Sequence, residues 1–293
     1  MAEHFHSGEA RKPPWLVRRL PTGPDAEQVR TLIDRGRLHT VCQEAHCPNI
    51  YECFSRHTAT FLILGSRCTR NCRFCAVLHG LQGPPDREEP VRVAEAVADM
   101  GLDFVVVTSV TRDDLPDGGA RQFAETIAHI RKRRPKTRVE VLIPDFNGNW
   151  EALATVMTAG PDVLNHNIDT VARLYPVVRP QAVYERSLAL LRKARDLAPD
   201  ILTKSGIMLG LGEEPDEVEQ ALLDLRHVGC EILTLGQYLR PSEEHLPVHR
   251  YVSPEEFDDW RDRARPMGFK EVASGPFVRS SYHAGDAYRA AQG

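Results

Sequence analysis

From Thr60 onward, short apolar runs rich in β-branched residues alternate with longer stretches whose apolar positions recur at helical spacing. The runs predict strands at residues 60–64, 104–108, 138–143, 163–168, 201–209 and 231–235. The stretches between and after them predict helices at 91–100, 120–134, 149–159, 184–197, 215–228 and 254–266. In the fourth of these, Leu188, Leu191 and Ala194 share one helical face. Strands alternating with helices imply βαβ units and a parallel sheet. Six such units predict an α/β fold, an open, partial TIM-type (β/α)6 barrel. A doubly wound open sheet is the alternative, and either fold collects ligands at the C-terminal ends of its strands.

The chain upstream lacks this rhythm. Residues 1–20 are rich in charge and proline and predict an extended arm. Residues 25–35 predict a short helix with Asp25 as N-cap, and residues 40–54 a loop. The expected organisation is an N-terminal extension at 1–57, the barrel at 58–270 and a C-terminal segment at 271–293.

Composition narrows the function classes. The 293 residues carry a formal charge of -4, with 42% hydrophobic and 27% charged residues, as in an ordinary soluble protein. This balance gives no reason to expect nucleic acid or membrane as a partner. The basic run Arg131-Lys132-Arg133-Arg134 reads as the solvated last turn of a helix, where cations suit the helix dipole. No apolar stretch is long enough to span a bilayer, and the N-terminus lacks a secretory h-region. A cytoplasmic, reducing location is therefore expected, where clustered cysteines mean metal or redox chemistry.

Six of the seven cysteines fall in two triplets, Cys42, Cys47, Cys53 and Cys68, Cys72, Cys75. Cys230 stands apart in an apolar setting and reads as a buried, inert thiol. The second triplet has CxxxCxxC spacing, directly after the first predicted strand. Zinc usually takes paired CxxC or Cys/His ligands and closes at four. Here the only nearby fourth candidate is His79. Three thiolates fit better on an iron–sulfur cluster that keeps one iron open.

CxxxCxxC with Phe74 before the last cysteine, after the first strand of a βα barrel, resembles the radical S-adenosylmethionine superfamily. The resemblance implies that the open iron of a 4Fe-4S cluster on Cys68, Cys72 and Cys75 chelates S-adenosylmethionine. One electron then cleaves the cofactor to a 5′-deoxyadenosyl radical that abstracts hydrogen from an unactivated carbon. The upstream CxxxxCxxxxxC set narrows the resemblance to the lipoyl synthases. So do Asn165-His166-Asn167, the stretches at 204–213 and 233–242, and Arg279-Ser280-Ser281-Tyr282. Together these cover the chain from about Trp15 to Ala284.

That family resemblance implies a second 4Fe-4S cluster on Cys42, Cys47 and Cys53, closed by Ser281. An oxygen ligand matches a soft iron–sulfur centre poorly, so that iron should be the labile one. The second cluster would supply sulfur at C6 and C8 of an octanoyl chain amide-linked to a lysine. The implied partners are an octanoylated carrier (H protein or the E2 of a 2-oxoacid dehydrogenase), a flavodoxin- or ferredoxin-type reductant, and an iron–sulfur carrier for cluster repair. Cofactor contacts are expected at Phe74, Thr108, Ser109, Asn165, Asn167, Asp169 and Lys204. Thr108 and Ser109 read equally well as a strand-end turn. Asn165 and Asn167 share one strand face, toward the predicted mouth, and His166 takes the other as a satisfied buried histidine. Many family members have Glu where Asp169 stands. Lys204 pairs either with a cofactor carboxylate or with an internal acid. Residues 111–114, Thr-Arg-Asp-Asp, either touch substrate or begin a loop.

Overall fold

The computed structural model describes residues 12–17, 24–56 and 58–293. The extended arm expected at 1–20 falls largely outside the described residues. Ten strands occur among them: β1 (His39–Thr40), β2 (Thr60–Ile63), β3 (Arg67–Cys68), β4 (Leu78–His79), β5 (Phe104–Ser109), β6 (Arg138–Leu142), β7 (Val163–Asn165), β8 (Leu202–Leu209), β9 (Ile232–Gln237) and β10 (Glu271–Gly275). Eight form one sheet in the order β1-β2-β5-β6-β7-β8-β9-β10, and β3 pairs with β4 apart from it. All pairings in the large sheet are parallel except β1 with β2. The edge strands β1 and β10 do not pair with each other, so the barrel is open.

The helices are α1 (Pro24–Arg35), α2 (Val41–Glu44), α3 (Ile50–Ser55), α4 (Glu89–Asp99), α5 (Ala120–Arg133), α6 (Trp150–Thr158), α7 (Tyr175–Val178), α8 (Tyr184–Leu197), α9 (Pro215–His227), α10 (Pro254–Ala264) and α11 (Ala284–Gln292). All six predicted strands and the six helices paired with them are present, with ends shifted by one to three residues. The predicted strand at 163–168 is the most shortened. Asp169 takes a left-handed φ of 62° and joins β8 as an isolated bridge opposite Ile207.

Four differences from the sequence reading stand out. Asp25 lies inside α1, because the helix begins at Pro24, so it is not the N-cap. The region expected as a loop at 40–54 holds α2 and α3. The sheet runs past residue 270, since β10 pairs with β9 through Val272 and its neighbours. Arg131 is not simply solvated: its guanidinium donates to Gly160 O and Asp162, tying α5 to the strand that follows α6.

The apolar faces of the helices pack against the sheet. One core joins α1, α4, α5 and α6 to β2, β5 and β6; a second joins α9 and α10 to β8 and β9. Large residues such as Phe61, Phe123, Leu153 and Phe257 are fully buried there. Burying a side chain of that size is worth about 1.5–3 kcal/mol, which fixes the strands that carry the site.

Candidate active site

The sheet's C-terminal edge opens onto a cavity of about 530 Å³, bordered by strand-end residues Ser109, Leu142, Met208 and Gln237. That volume is typical of a cofactor or substrate site. All six clustered cysteines and Ser281 border the same cavity. None of the cysteines is in a disulfide.

The loop after β2 is held from every side. Leu64 and Gly65 turn the chain with φ of 70° and 94°. The turn is secured by Glu89, whose carboxylate accepts from Leu64 N at 2.9 Å, and by Arg112, which donates to Leu64 O. The Leu64 side chain seats over Gly119, where a Cβ would come within 2.2 Å of it. Gly80 N donates to Cys68 O at 2.9 Å, and Thr111 N donates to the Cys68 sulfur at 3.3 Å.

Between Cys68 and Cys72, Arg70 turns inward with 4% of its side chain exposed. It donates to both oxygens of Asp113, to Asp145 at 2.6 Å and to Asn147 at 2.9 Å. Asp145 also accepts from Arg186 at 2.7 Å. Arg70 thus binds the cysteine loop to the loops after β5 and β6. Burial alone would raise the Asp145 pKa, but the hydrogen bond and charge of Arg70 outweigh it and hold the carboxyl well below its usual range.

The other triplet sits on short helical turns. Thr40 caps α2, its hydroxyl accepting from Gln43 N at 3.3 Å. Cys42 lies in α2 and Cys53 in α3; between them His46, at φ 49°, turns the chain toward Cys47. Ser281 arrives from the far end of the chain. The segment after β10 crosses β9 at Gly236, where an added Cβ would meet Val278 O at 2.1 Å. Only glycine allows that crossing.

Burial pushes the thiols of Cys42, Cys53 and Cys75 up to about 12, and that of Cys72 up as well. A cationic iron centre would reverse this, because a coordinating thiol is deprotonated outright. No three His, Cys, Asp or Glu side chains among the described residues are grouped to hold a single metal ion. A four-iron cluster asks for a wider spacing, since each thiolate meets a different iron. His79, the only local candidate for a fourth ligand, is exposed and lies off the cavity.

The polar wall fits a bound cofactor. Ser109 Oγ and Asn167 Oδ1 are buried without a hydrogen-bond partner, and both residues border the cavity. Such orphans cost about 1–3 kcal/mol each unless a ligand satisfies them. Arg179 Nε stands 3.3 Å from Asp169, and the guanidinium lies beside the Cys72 thiol. Burial raises the Asp169 pKa against the opposing pull of Arg179. Gly206 is crowded by its neighbours: a Cβ there would lie 2.4 Å from Thr234 Oγ1 and 3.1 Å from Asn167 Oδ1.

Of the expected contacts, Phe74, Thr108, Ser109, Asn167 and Asp169 reach the cavity wall. Thr108 spends its hydroxyl on Leu142 O at 2.8 Å. Asn165 and Lys204 correct the sequence reading, because neither borders the cavity. Lys204 Nζ binds both oxygens of Glu140 at 3.0 and 3.1 Å, and Asn165 donates to the same carboxylate at 2.9 Å. Glu140, Asn165 and Lys204 precede the lining residues Leu142, Asn167 and Gly206 by two, so they share the inward face one layer deeper. The lysine's partner is the internal acid. His166 borders the cavity but spends its ring on protein partners, its Nδ1 donating to Ile143 O at 2.8 Å and its Nε2 accepting from Ser187 at 3.0 Å. Arg112 binds Asp114 and backbone carbonyls, which makes residues 111–114 a brace. Cys230 is fully buried, with its thiol pushed up to about 12 by burial.

Sequence reasoning missed Arg70 and Arg179. Their signals were present: an arginine inside the cysteine motif, and one ending an apolar run at Tyr175-Pro176-Val177-Val178-Arg179.

Residues 62–225 match the radical SAM superfamily model. The chain is 59% identical over 281 residues to the lipoyl synthase of Desulfotalea psychrophila, covering 96% of this chain and 94% of that one. It is 57% identical over 274 residues to the lipoyl synthase of Caldanaerobacter subterraneus, covering 94% and 96%. Among solved structures, HydG, a maturase of the [FeFe]-hydrogenase, superposes with a TM-score of 0.56 at 15% identity, covering 91% of this chain and 74% of that one. Methylornithine synthase PylB superposes at 0.52 with 14% identity, covering 88% and 84%. At such identities the two structures speak for the fold alone.

Proposed function

We propose a division of labour between the two cysteine triplets of this chain, which belongs to the lipoyl synthases of the radical S-adenosylmethionine superfamily. Enzymes of this family insert sulfur at C6 and C8 of a protein-bound octanoyl-lysine, with a reductant and a carrier-borne substrate. When bound, a 4Fe-4S cluster with S-adenosylmethionine supplies hydrogen abstraction, and an auxiliary cluster supplies sulfur.

In this reading Cys68, Cys72 and Cys75 hold the first cluster in the Arg70 frame. The unsatisfied Ser109 Oγ and Asn167 Oδ1 receive polar groups of the cofactor. Arg179, a buried cation, suits its carboxylate. Gly206 leaves room for the Thr234 and Asn167 side chains at this wall. Cys42, Cys47, Cys53 and Ser281 hold the auxiliary cluster. Apolar wall residues such as Val41, Ile143 and Leu239 shield the acyl carbons from water. The partners that fit are an octanoylated H protein or E2 domain, a flavodoxin- or ferredoxin-type reductant, and an iron–sulfur carrier for repair. A cytoplasmic setting suits free, clustered thiols, and no helix among the described residues is long and apolar enough to cross a membrane.

The observation that carries this reading is that both triplets and Ser281 wall one cavity. The test is anaerobic reconstitution, iron analysis, and mass spectrometry of an octanoyl-lysine peptide incubated with S-adenosylmethionine and dithionite. About eight irons per chain, as two four-iron clusters, and a dithiolated peptide are expected. A single zinc and no 5′-deoxyadenosine would refute it.

A further inference from the structure

Ser281 is held by α3, the same short helix that carries Cys53. Asn49 stands at the N-cap of α3 but makes no side-chain bond to its own helix. Its amide instead donates to Phe277 O at 2.7 Å, and the residue is 1% exposed. One turn later Glu52 accepts from the Tyr282 hydroxyl at 2.8 Å. His283 Nε2 stands 3.4 Å from the same Glu52 oxygen and 3.2 Å from Arg56 Nη1. The Tyr282 and His283 rings pack 4.2 Å apart, and His283 turns the chain with φ of 52° into α11. Ser281 therefore lies between two tethers, one at 277 and one at 282, and both start on α3.

We propose that Asn49 and Glu52 are positioning residues that latch the serine-bearing segment onto the auxiliary cysteine helix. The inference rests on Ser281 being the oxygen ligand of that site. The helix that carries Cys53 thus tethers the segment that carries Ser281, across more than two hundred residues of sequence. An N-cap asparagine normally satisfies its own helix. Here the chain forgoes that cap and aims the side chain at the C-terminal segment. The latch keeps the weaker, oxygen-ligated corner of the site closed, adding to the seat that Gly236 of β9 gives the same segment.

The test uses full-length protein loaded anaerobically with both clusters, as Asn49→Ala, Glu52→Ala, Glu52→Gln and Ser281→Ala. The readouts are iron release to a chelator and 5′-deoxyadenosine formation with dithionite. Asn49→Ala and Glu52→Ala should each speed release of the auxiliary iron about 10-fold, the loss of one hydrogen bond to a buried or charged group. Glu52→Gln, which still accepts from Tyr282, should speed it about 3-fold. Deoxyadenosine formation should stay within about 2-fold of wild type, a result that general unfolding would not give. If Ser281→Ala releases iron rapidly but Asn49→Ala and Glu52→Ala match wild type, or if they lose iron from both sites equally, the latch is wrong. If Ser281→Ala itself matches wild type, the ligand assignment underneath it fails instead.

Discussion

The loop of residues 68–75 and the site formed by residues 42–53 with Ser281 border one cavity but are built on opposite plans. The first is clamped by buried charge: Arg70, Asp113 and Asp145 tie three strand-end loops together, Arg186 of α8 joins them, and Asp145 has no exposed side-chain surface. The second is assembled from two distant parts of the chain on short helical turns, closed by tethers from α3 to the C-terminal segment. A buried ion network resists rearrangement because breaking any member strands a charge. Partly exposed hydrogen bonds on a short helix can open without unfolding the sheet. The contrast suits a centre that must persist beside one that is consumed and rebuilt.

The largest effect should come from breaking the clamp. Arg70→Met leaves Asp145 buried with Arg186 alone, and removing one partner of such a pair costs about 3–5 kcal/mol. Denaturant unfolding of the cluster-free protein would read this, and cofactor cleavage should fall with it. Wild-type stability in Arg70→Met would show that the clamp is not needed to hold the loop.

A second prediction concerns pH. The fully buried His166 has its pKa lowered from 6.5 to about 4, chiefly by burial, with the Arg179 charge adding to it. The unfolded chain takes up this proton near 6.5 and the folded chain only near 4. The unfolded state thus binds more protons in that window, and stability falls as pH drops through it. The loss should approach about 3 kcal/mol by pH 4. His166→Gln should flatten that slope, and a slope unchanged in the variant would remove the histidine from the account.

The smallest effect belongs to the auxiliary side. Thr40→Ala removes the cap of α2 and should cost about 1 kcal/mol. Its consequence should stay local, seen as faster amide exchange in residues 41–47 and not in β2 or β5. A global loss matching that of Arg70→Met would erase the difference between the regions.

The alternation that predicts the barrel was legible because β-branched runs such as 104–108 and helical spacing such as Leu188, Leu191, Ala194 are local signals. The ends of the chain were not. β10 buries Val272 but little else of its five residues, and α2 and α3 are held by Thr40 and by packing under α1. The cysteine spacing exposed the two triplets that wall the cavity, and Ser281 emerged from its motif. Lys204 and Asn165 were misplaced because a polar residue on an inward strand face reads the same at the mouth and one layer below it. Only the partner, Glu140, tells the two apart. Arg70 and Arg179 were missed because what marks them is burial, which one sequence does not display.

The most direct test of a lasting centre beside an expendable one is a single loading of the protein with ³⁴S-labelled clusters. Octanoyl-lysine peptide, S-adenosylmethionine and dithionite are then supplied twice, without iron or sulfide, and products are counted after each addition. The account predicts about one lipoyl group per chain with both sulfurs heavy in the first round, then continued 5′-deoxyadenosine formation with no further lipoyl product in the second. If deoxyadenosine and lipoyl formation cease together, or the product sulfur is light, the two triplets do not have separate fates.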